Sequence, residues 1–304
     1  MMLAMAVGTV LLAACGGRRS MLPDSGGRPF EVTVVNDSDS IVASALGGDV
    51  AALPQREPQF DVSEARMKTY DVGSSVLRYS RSLVVVDIDS LRFSRVTVRY
   101  ERNVYAEPQI VVHVSAPSAD ALRRELRPSS LASVLLRHEV AAAVGRLRRR
   151  NNPKMEAEVK RMFGIDMSIP ADMTSAKRGR GFIWISNNSP TAMQNICVYL
   201  TDNRDSVMRA NIKGETDSMY VATVKGSAAT ASVRLCGRNV RVKRGLWEMK
   251  GDAMGGPFVS HTVSMGHGRP DVTVEAFVYA PGLKKRNLLM QAEAALWTVE
   301  QSEK

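Results

Sequence analysis

The pattern of hydrophobic and polar positions in the first third of the chain predicts a series of β-strands. Residues Phe30 to Val35 alternate between apolar and polar side chains, which is typical of a strand with one buried face. Leu83 to Ile88 form instead a run rich in β-branched residues, which predicts a strand buried on both faces. Arg95 to Glu101 and Gln109 to Ser115 are two further candidates. The N-terminal part is therefore expected to contain a sheet.

Helical spacing replaces the strand pattern near the middle of the chain. A helical segment is interrupted at Pro128, restarts just after it and ends in the basic run Arg146 to Arg150, which suits the negative end of a helix dipole. Asn152 then precedes Pro153 as an N-cap residue precedes a proline at the first helical position. The sequence thus predicts a helical hairpin.

The C-terminal half returns to strand patterns with few helices. Strands are predicted over 181–186, 195–200, 230–235, 240–247, 258–265 and 272–279, with helices over 204–210 and 283–299. Because strands and helices do not alternate regularly, the expected fold class is α+β, with a largely antiparallel sheet and flanking helices. A strand, an Ala-Pro pair and a helix occur in this order twice, which leaves two similar lobes as an option. We divide the folded part into lobes at 29–150 and 151–304, which could also form one domain.

The first residues have the pattern of a bacterial lipoprotein signal peptide. Met1 to Ala14 carry no charge and are too few to span a bilayer, and Cys15 follows two small alanines. Cleavage before Cys15 and lipidation of its thiol would leave residues 15–28 as a flexible tether. Because no basic residue precedes the apolar segment, an ordinary secretory signal or a buried N-terminal segment stays an alternative, as does a start codon upstream of Met1.

The net charge of +10 raises the question of an anionic partner. Basic residues cluster at Arg146 to Arg150, Lys177 to Arg180, Arg238 to Arg244 and Lys284 to Arg286. In a cytoplasmic protein such clusters would indicate nucleic acid, whereas an exported protein meets the phosphates of the envelope, so we expect no nucleic-acid partner. Two interpretations stay open. The clusters reinforce a lipid anchor, or they only solubilise the protein and complement helix ends.

Cysteine and histidine positions give little support to metal binding. Apart from Cys15, the chain has only Cys197 and Cys236, each alone in a strand-like segment. In an oxidising compartment they could form a disulfide, and otherwise they would be two buried thiols. The sequence has no CxxC motif and no Cys/His cluster, so no metal or other cofactor is expected. His113 and His138 lie in core-like patterns and are expected to be packed.

A glycine-rich segment around residue 250 holds the best candidates for catalysis. Glu248, Asp252 and His261 lie close together in the sequence, so a hydrolase that uses one of them as a general acid or base is conceivable. On a strand, however, Glu248 and Lys250 would share a solvent face, and the glycines would form a hairpin connection. Nucleophile motifs such as GxSxG are absent from the sequence, and His261 and His267 lack the spacing of metal ligands.

Several motifs together resemble one known family. They are Gly27 to Pro29, Leu53 to Gln55, Val86 to Asp89, Asn103 to Gln109, Gly245 to His261, Phe277 to Pro281 and Lys285 to Leu288. These segments closely resemble the domain-of-unknown-function 4837 family of Bacteroidetes envelope lipoproteins, over nearly the whole mature chain. The resemblance implies a lipoprotein of the Gram-negative cell envelope, and it implies no activity.

These observations favour a lipid-anchored envelope protein that binds or scaffolds another component without catalysis. The alternative is an envelope hydrolase that uses Glu248, Asp252 or His261. The expected partners are the membrane, through lipidated Cys15, and another envelope protein. We expect the outer membrane and its periplasmic side, because no acidic run that would favour export to the cell surface follows Cys15.

Replacement of Cys15 tests the anchor. We expect Cys15→Ser to release the protein from the membrane fraction or to leave an unprocessed precursor, because a serine hydroxyl cannot form the thioether to diacylglycerol. Membrane fractionation and mass spectrometry of the N-terminus measure this, with Cys236→Ser as the matched control. Unchanged acylation and membrane retention in Cys15→Ser would show that another residue is modified.

Overall fold

The N-terminal lobe is built on one mixed sheet. The computed structural model describes residues 22–67, 72–235, 238–266 and 268–302. The elements of this lobe are β1 (Glu31–Val35), α1 (Ile41–Leu46), β2 (Asp61–Ala65), two 3₁₀ turns (Val72–Ser74 and Val76–Tyr79), β3 (Ser82–Ile88), β4 (Thr97–Arg102), β5 (Ile110–Ala116), α2 (Ala119–Glu125) and α3 (Pro128–Arg149). The strand order is β2-β1-β3-β5-β4, in which β4 alone of these strands runs antiparallel to its neighbour.

The central strand β3 is buried on both faces, as expected in a mainly parallel sheet. Its Val84 and Val86 belong to the cluster that Leu135 of α3 completes, whereas Leu83 and Val85 lie in a second cluster on the other face. A strand covered on both faces is typical of parallel sheets, whose connections cross over the faces. The prediction that β3 is buried on both faces is therefore confirmed. The chain as a whole is α+β with mostly antiparallel sheet, as predicted, and this lobe is the exception.

The C-terminal lobe contains a large antiparallel sheet. Its elements are α4 (Pro153–Phe163), β6 (Ile165–Asp166), β7 (Ser175–Gly179), β8 (Phe182–Ser186), β9 (Met193–Tyr199), α5 (Arg204–Asn211), β10 (Val221–Thr223), β11 (Ala229–Leu235), β12 (Arg238–Met249), β13 (Gly255–Val263), β14 (Val272–Tyr279), α6 (Arg286–Leu296) and β15 (Glu300–Gln301). The strand order is β10-β12-β13-β14-β9-β8-β7, while β11 also pairs with β12 and β15 pairs with β6. The predicted helical hairpin is confirmed as α3 and α4.

The two faces of the C-terminal sheet bury different kinds of side chain. One face packs against α4 and α6 through aliphatic residues such as Val159, Val274 and Leu289. The opposite face packs against α5 through aromatic residues such as Tyr199 and Trp247. Because successive residues of a strand point to opposite faces, each strand contributes to both clusters.

The two lobes do not repeat one topology. The Ala-Pro pairs that follow β5 and β14 do lead into helices, as the sequence echo indicates. However, β5 lies in a mainly parallel sheet and β14 lies between antiparallel neighbours. Two lobes are therefore present, and they share only the unit of a strand, an Ala-Pro pair and a helix.

A carboxylate of the N-terminal lobe caps a helix of the C-terminal lobe. Glu57 is 2 % exposed, and its carboxylate accepts hydrogen bonds from the backbone N–H groups of Lys285 (2.7 Å) and Arg286 (3.0 Å) at the start of α6. The first N–H groups of a helix have no partner within the helix and carry its positive dipole end. The buried charge of Glu57 is thus stabilised by a helix from the other lobe.

Further contacts reinforce this junction. The Arg286 guanidinium contacts the carboxylate of Asp61 at 2.5 Å and the carbonyl oxygen of Pro58 at 2.6 Å. Met290 of α6 packs against the hydrophobic cluster of the N-terminal lobe, and Leu147 near the end of α3 lies in the core of the C-terminal lobe. The helices α3 and α6 therefore contribute side chains to the hydrophobic cores of both lobes.

Removal of the Glu57 carboxylate tests how strongly the lobes depend on each other. We expect Glu57→Ala to lower the free energy of unfolding by about 2 kcal/mol, because it leaves buried N–H groups of α6 without acceptors. Urea denaturation measures the change, and Glu125→Ala at the exposed end of α2 is the matched control. A loss in Glu57→Ala no larger than in the control would contradict the capping role.

Candidate functional site

Some of the residues predicted to be functional fall outside the described part of the chain. Cys15, Cys236 and His267 are among them, so the lipidation of Cys15 and the disulfide between Cys197 and Cys236 stay predictions. Over the described ranges, no helix has both the length and the apolar character needed to cross a membrane. In the same ranges, no three His, Cys, Asp or Glu side chains are grouped so that they could hold a metal ion.

Glu248, Asp252 and His261 do not form one acid/base site. Glu248 is partly exposed and accepts a hydrogen bond from Lys250 Nζ at 2.6 Å, and Asp252 is exposed in the turn between β12 and β13. His261 pairs with Val242 across the sheet, six residues along β12 from Glu248, which corresponds to about 20 Å. The geometry therefore agrees with the hairpin that the sequence favours and does not bring the three residues of the hydrolase alternative together.

His261 instead lies beside a buried ion pair beneath α6. It is 1 % exposed, its Nε2 lies 3.5 Å from Glu293 Oε1, and its ring lies edge-on to Trp297 with centroids 4.4 Å apart. Arg244 Nη2 approaches the same carboxylate oxygen to 2.5 Å. Burial raises the pKa of Glu293, but the charge of Arg244 and the contact with His261 outweigh it and hold this pKa at about 2. The contact ties α6 to β12 and β13.

Cys197 is also enclosed in the C-terminal lobe. Its side chain is fully buried in β9, opposite Glu275 of β14. Burial and the neighbouring Glu275 raise the pKa of the thiol, so it is not an activated nucleophile. Glu275 itself accepts hydrogen bonds from Tyr199 (2.9 Å) and Arg204 (3.0 Å). These residues form a buried polar network that has no opening to substrate.

The two histidines predicted to be packed have different environments. His138 is buried in α3, and burial together with the charges of Arg81 and Arg102 lowers its pKa to about 4. This prediction is confirmed. His113 on β5 is only half-buried and lines an open groove, so the same prediction is wrong for it.

The groove that contains His113 lies on one face of the N-terminal sheet and is called here the β4 groove. It has a volume of about 490 Å³ and is lined by Val85, Asp87, Arg92, Phe93, Ser94, Arg95, Thr97, Arg99, Glu101, His113 and Ser115. The register of β3, β5 and β4 aligns Val85, His113 and Arg99 in one row. Asp87, Ser115 and Thr97 form the next row. The segment from β3 to β4 supplies the remaining wall.

The charges of the β4 groove are only partly paired. Arg92 Nη1 lies 2.8 Å from Asp87 Oδ2, which neutralises that carboxylate. Arg95 and Arg99 are exposed, and neither forms an ion pair or a side-chain hydrogen bond with any residue that the structure describes. Together with Arg92 they place three guanidinium groups around a groove that holds two carboxylates, of Asp87 and Glu101. The groove therefore has the composition of an anion-binding site.

The location of the β4 groove follows from the parallel strands. Ligand sites of open parallel sheets lie near the carboxyl ends of their strands, and Asp87 and Ser115 are near those ends in β3 and β5. Residues 22–27 enter at the opposite end of the sheet, where Gly26 bridges to Ser80 and Asp24 bridges to Glu107. The groove thus extends along β4 from the carboxyl ends of β3 and β5, and the N-terminal segment enters at their amino ends.

Three of the four basic clusters predicted from the sequence contain arginines that are paired within the fold, whereas Arg146 to Arg150 form no ion pair with any described residue. Arg178 pairs with Glu158, Arg241 with both Asp202 and Asp271, Arg244 with Glu293, and Arg286 with Asp61. Structural pairing, rather than one shared basic face, therefore explains these arginines. The arginines of the β4 groove were not singled out by the sequence, because they do not form a run. The available signal was the alternation of polar side chains along the two predicted strands Arg95 to Glu101 and Gln109 to Ser115, which places these side chains on one face of a sheet.

Comparisons with known families match both halves of the chain. Residues 152–298 match the model described as Domain of unknown function (DUF4837), and residues 25–148 match that described as Domain of unknown function (DUF8532). The resemblance to the first family is thereby confirmed over the C-terminal lobe. The motifs of the N-terminal lobe, and the β4 groove with them, fall within the second model. No curated protein matches the chain.

Acid titration tests the buried contact of Glu293. The pKa of this carboxyl is about 2 in the folded protein against an ordinary value of 4.5, so its stabilising effect is complete above pH 4.5 and is lost as the pH falls toward 2. Between pH 7 and pH 3 the loss amounts to about 2 kcal/mol of unfolding free energy. Urea denaturation at both pH values measures it.

Two variants complete the titration. From about pH 7 to pH 3, the unfolding free energy of Glu293→Gln should fall by about 2 kcal/mol less than that of the wild type, because the variant has no carboxyl to protonate at this position. Glu215→Gln, at an exposed position, should behave as the wild type. The structural role of Glu293 would be refuted by equal pH-dependent losses in Glu293→Gln and the wild type.

Proposed function

We propose that this protein is a lipid-anchored protein of the cell envelope that binds a phosphorylated envelope component in the β4 groove. The anchor in this proposal is Cys15, at the outer membrane and on its periplasmic side. Support for the address comes from the uncharged apolar N-terminus before Cys15 and from the resemblance to envelope lipoproteins. The function is binding or scaffolding without catalysis.

One observation carries the proposal of an anion site. Arg95 and Arg99 line the groove without an acidic partner among the described residues, whereas Arg178, Arg241, Arg244 and Arg286 of the basic clusters are each paired. A guanidinium group presents several N–H donors in a plane, which matches the oxygens of a phosphoryl group. Two such groups on one groove favour a ligand with more than one negative charge.

Neutral donors complete the proposed site. The hydroxyl groups of Ser94, Thr97 and Ser115 line the same groove as the arginines. A hydroxyl can donate to a phosphoryl oxygen, and a histidine ring can do so through whichever nitrogen carries a proton. His113 lies on β5, between Val85 of β3 and Arg99 of β4. Its ring signals are therefore expected to change when a ligand binds in the groove.

The position of the groove agrees with a partner held away from the anchor. The N-terminal segment enters at the amino ends of β3 and β5, and the groove includes Asp87 and Ser115 near their carboxyl ends. Five residue steps separate Ser80, where Gly26 bridges, from Val85 in the groove, and they correspond to about 17 Å along an extended strand. A component bound near Asp87 and Ser115 would thus be separated along the strands from the point where the N-terminal segment enters.

Titration with inorganic pyrophosphate tests the proposal. We expect the pyrophosphate to shift the ring resonances of His113 in the NMR spectrum and to release heat in calorimetry. Arg95→Gln should weaken binding by about tenfold, because it removes a charge-assisted hydrogen bond. Arg95 lies outside the strands, so its replacement leaves the sheet intact.

The matched control for this titration is Arg124→Gln on α2, which removes an exposed charge away from the groove. It should bind pyrophosphate as the wild type does. Equal weakening by both variants would show that pyrophosphate responds only to net charge. Unperturbed His113 resonances in the wild type would refute the site.

A further inference from the structure

No strand that the structure describes pairs with the outer edge of β4. β4 is the last strand of the N-terminal sheet and pairs with β5 alone among the strands described. Its Val98 and Tyr100 are 42 % and 47 % exposed. Natural sheets usually protect such an edge with charged side chains, especially lysine, or with proline, a bulge or a covering segment. β4 has no lysine or proline, and its charged residues are Arg99, Glu101 and Arg102.

The hydrogen bonds of β5 show which backbone groups of β4 point outward. Asn103 N–H donates to the carbonyl oxygen of Gln109 at 3.0 Å, whereas Ile110 N–H donates away from β4, to Arg81 on the β3 side. Hydrogen-bonded and non-hydrogen-bonded pairs alternate along an antiparallel ladder. The peptide groups of Arg99 and Glu101 therefore face β5, and those of Val98, Tyr100 and Arg102 face outward.

This alternation restricts how a second β4 can pair antiparallel with the first. Only outward-facing residues can exchange hydrogen bonds, so the register of greatest overlap places Tyr100 opposite Tyr100 of the other copy and Val98 opposite Arg102. Three pairs of this kind would form about six hydrogen bonds. The two copies are then related by a two-fold axis through Tyr100.

The side chains favour this register over its neighbours. With Tyr100 on the axis, Arg99 of each copy lies opposite Glu101 of the other, which gives two attractive cross-strand pairs. A shift of two residues in one direction would place Arg99 opposite Arg99, and a shift in the other direction would place Glu101 opposite Glu101. Both alternatives oppose like charges, so the strand is complementary to itself in one register.

The opposite face of the strand agrees with the same arrangement. There the two Tyr100 rings approach each other across the axis, and the guanidinium of Arg102 already lies 5.7 Å from the centre of the Tyr100 ring in its own copy. Aromatic and cation–π contacts of this kind stabilise cross-strand neighbours. Exposed apolar surface at Val98 and Tyr100 would be covered.

We propose that β4 is a dimerisation edge, at which a second copy of this chain adds its β4 in antiparallel orientation with Tyr100 on the two-fold axis. The two N-terminal sheets then form one continuous sheet. The axis is perpendicular to the sheet, so both β4 grooves open on the same face and adjoin each other. This inference rests on backbone geometry and charge order, and it holds whether or not the groove binds phosphate.

Charge exchange between two tagged copies tests the dimer. Full-length chains with two different affinity tags are co-expressed, and recovery of one copy with the other is measured from solubilised membranes. Arg99→Glu in both copies should lower co-purification by about tenfold or more, because acidic side chains would then face each other at two positions. Glu101→Arg in both copies should do the same with basic side chains.

Mixing the variants gives the decisive result. When one copy carries Arg99→Glu and the other carries Glu101→Arg, both cross-strand pairs become attractive again, so co-purification should return to about the wild-type level. Tyr100→Pro in both copies should abolish association while leaving the β4–β5 ladder intact, because the lost N–H faces outward. Circular dichroism confirms that each variant is folded.

Arg124→Glu, outside β4, is the matched control and should co-purify as the wild type does. Failure of wild-type copies to co-purify would overturn the proposal. Equal recovery in all variants would also overturn it, since association would then occur through another surface. Loss in both single variants without recovery in the mixed pair would show that the edge binds a different partner.

Discussion

The carboxylate of Glu57 at the start of α6 is the contact on which the arrangement of the two lobes depends. It satisfies N–H groups that α6 cannot satisfy itself, and it does so from the other lobe. Once its first turn is fixed, α6 presents Leu289 to the C-terminal core and Met290 to the N-terminal cluster. The same helix carries Glu293 to Arg244 and His261 beneath it. A buried charge at the junction is thus matched by buried charges along the helix, and each has a defined partner.

Two arginines that form no ion pair with any described residue lie at one edge of the N-terminal sheet. Arg95 and Arg99 line the β4 groove without partners among the described residues, and Glu101 lies beside them on β4. The open edge and the groove share this strand, so a protein chain that pairs with β4 would also change the shape of the groove. Binding of an anion and association of two copies would therefore influence each other through Arg99, which lies on both surfaces.

Regular elements with a strong local pattern were predictable from the sequence. The β-branched run of β3, the proline and asparagine that begin α4, and the long strands β12 to β14 all appear where the pattern places them. The strands that the pattern missed, β2, β6, β7, β10 and β15, have at most five residues each. Of these, β2, β7 and β10 lie at sheet edges, where no hydrophobic alternation is required. Of the candidate residues, Glu248 and Asp252 were correctly suspected of belonging to a hairpin, while the arginines of the β4 groove carried no motif.

The sequence by itself determined the α+β composition, the helical hairpin at the middle of the chain and the pattern of an N-terminal lipid anchor, because these features depend on neighbours within a few residues. Only the tertiary structure decided that the N-terminal sheet is mainly parallel, that His261 is enclosed while His113 is open, and that no described strand pairs with the outer edge of β4. It also decided that Glu57 caps a helix 228 residues further along the chain. Such contacts join positions whose spacing in sequence follows no period, so no local pattern records them.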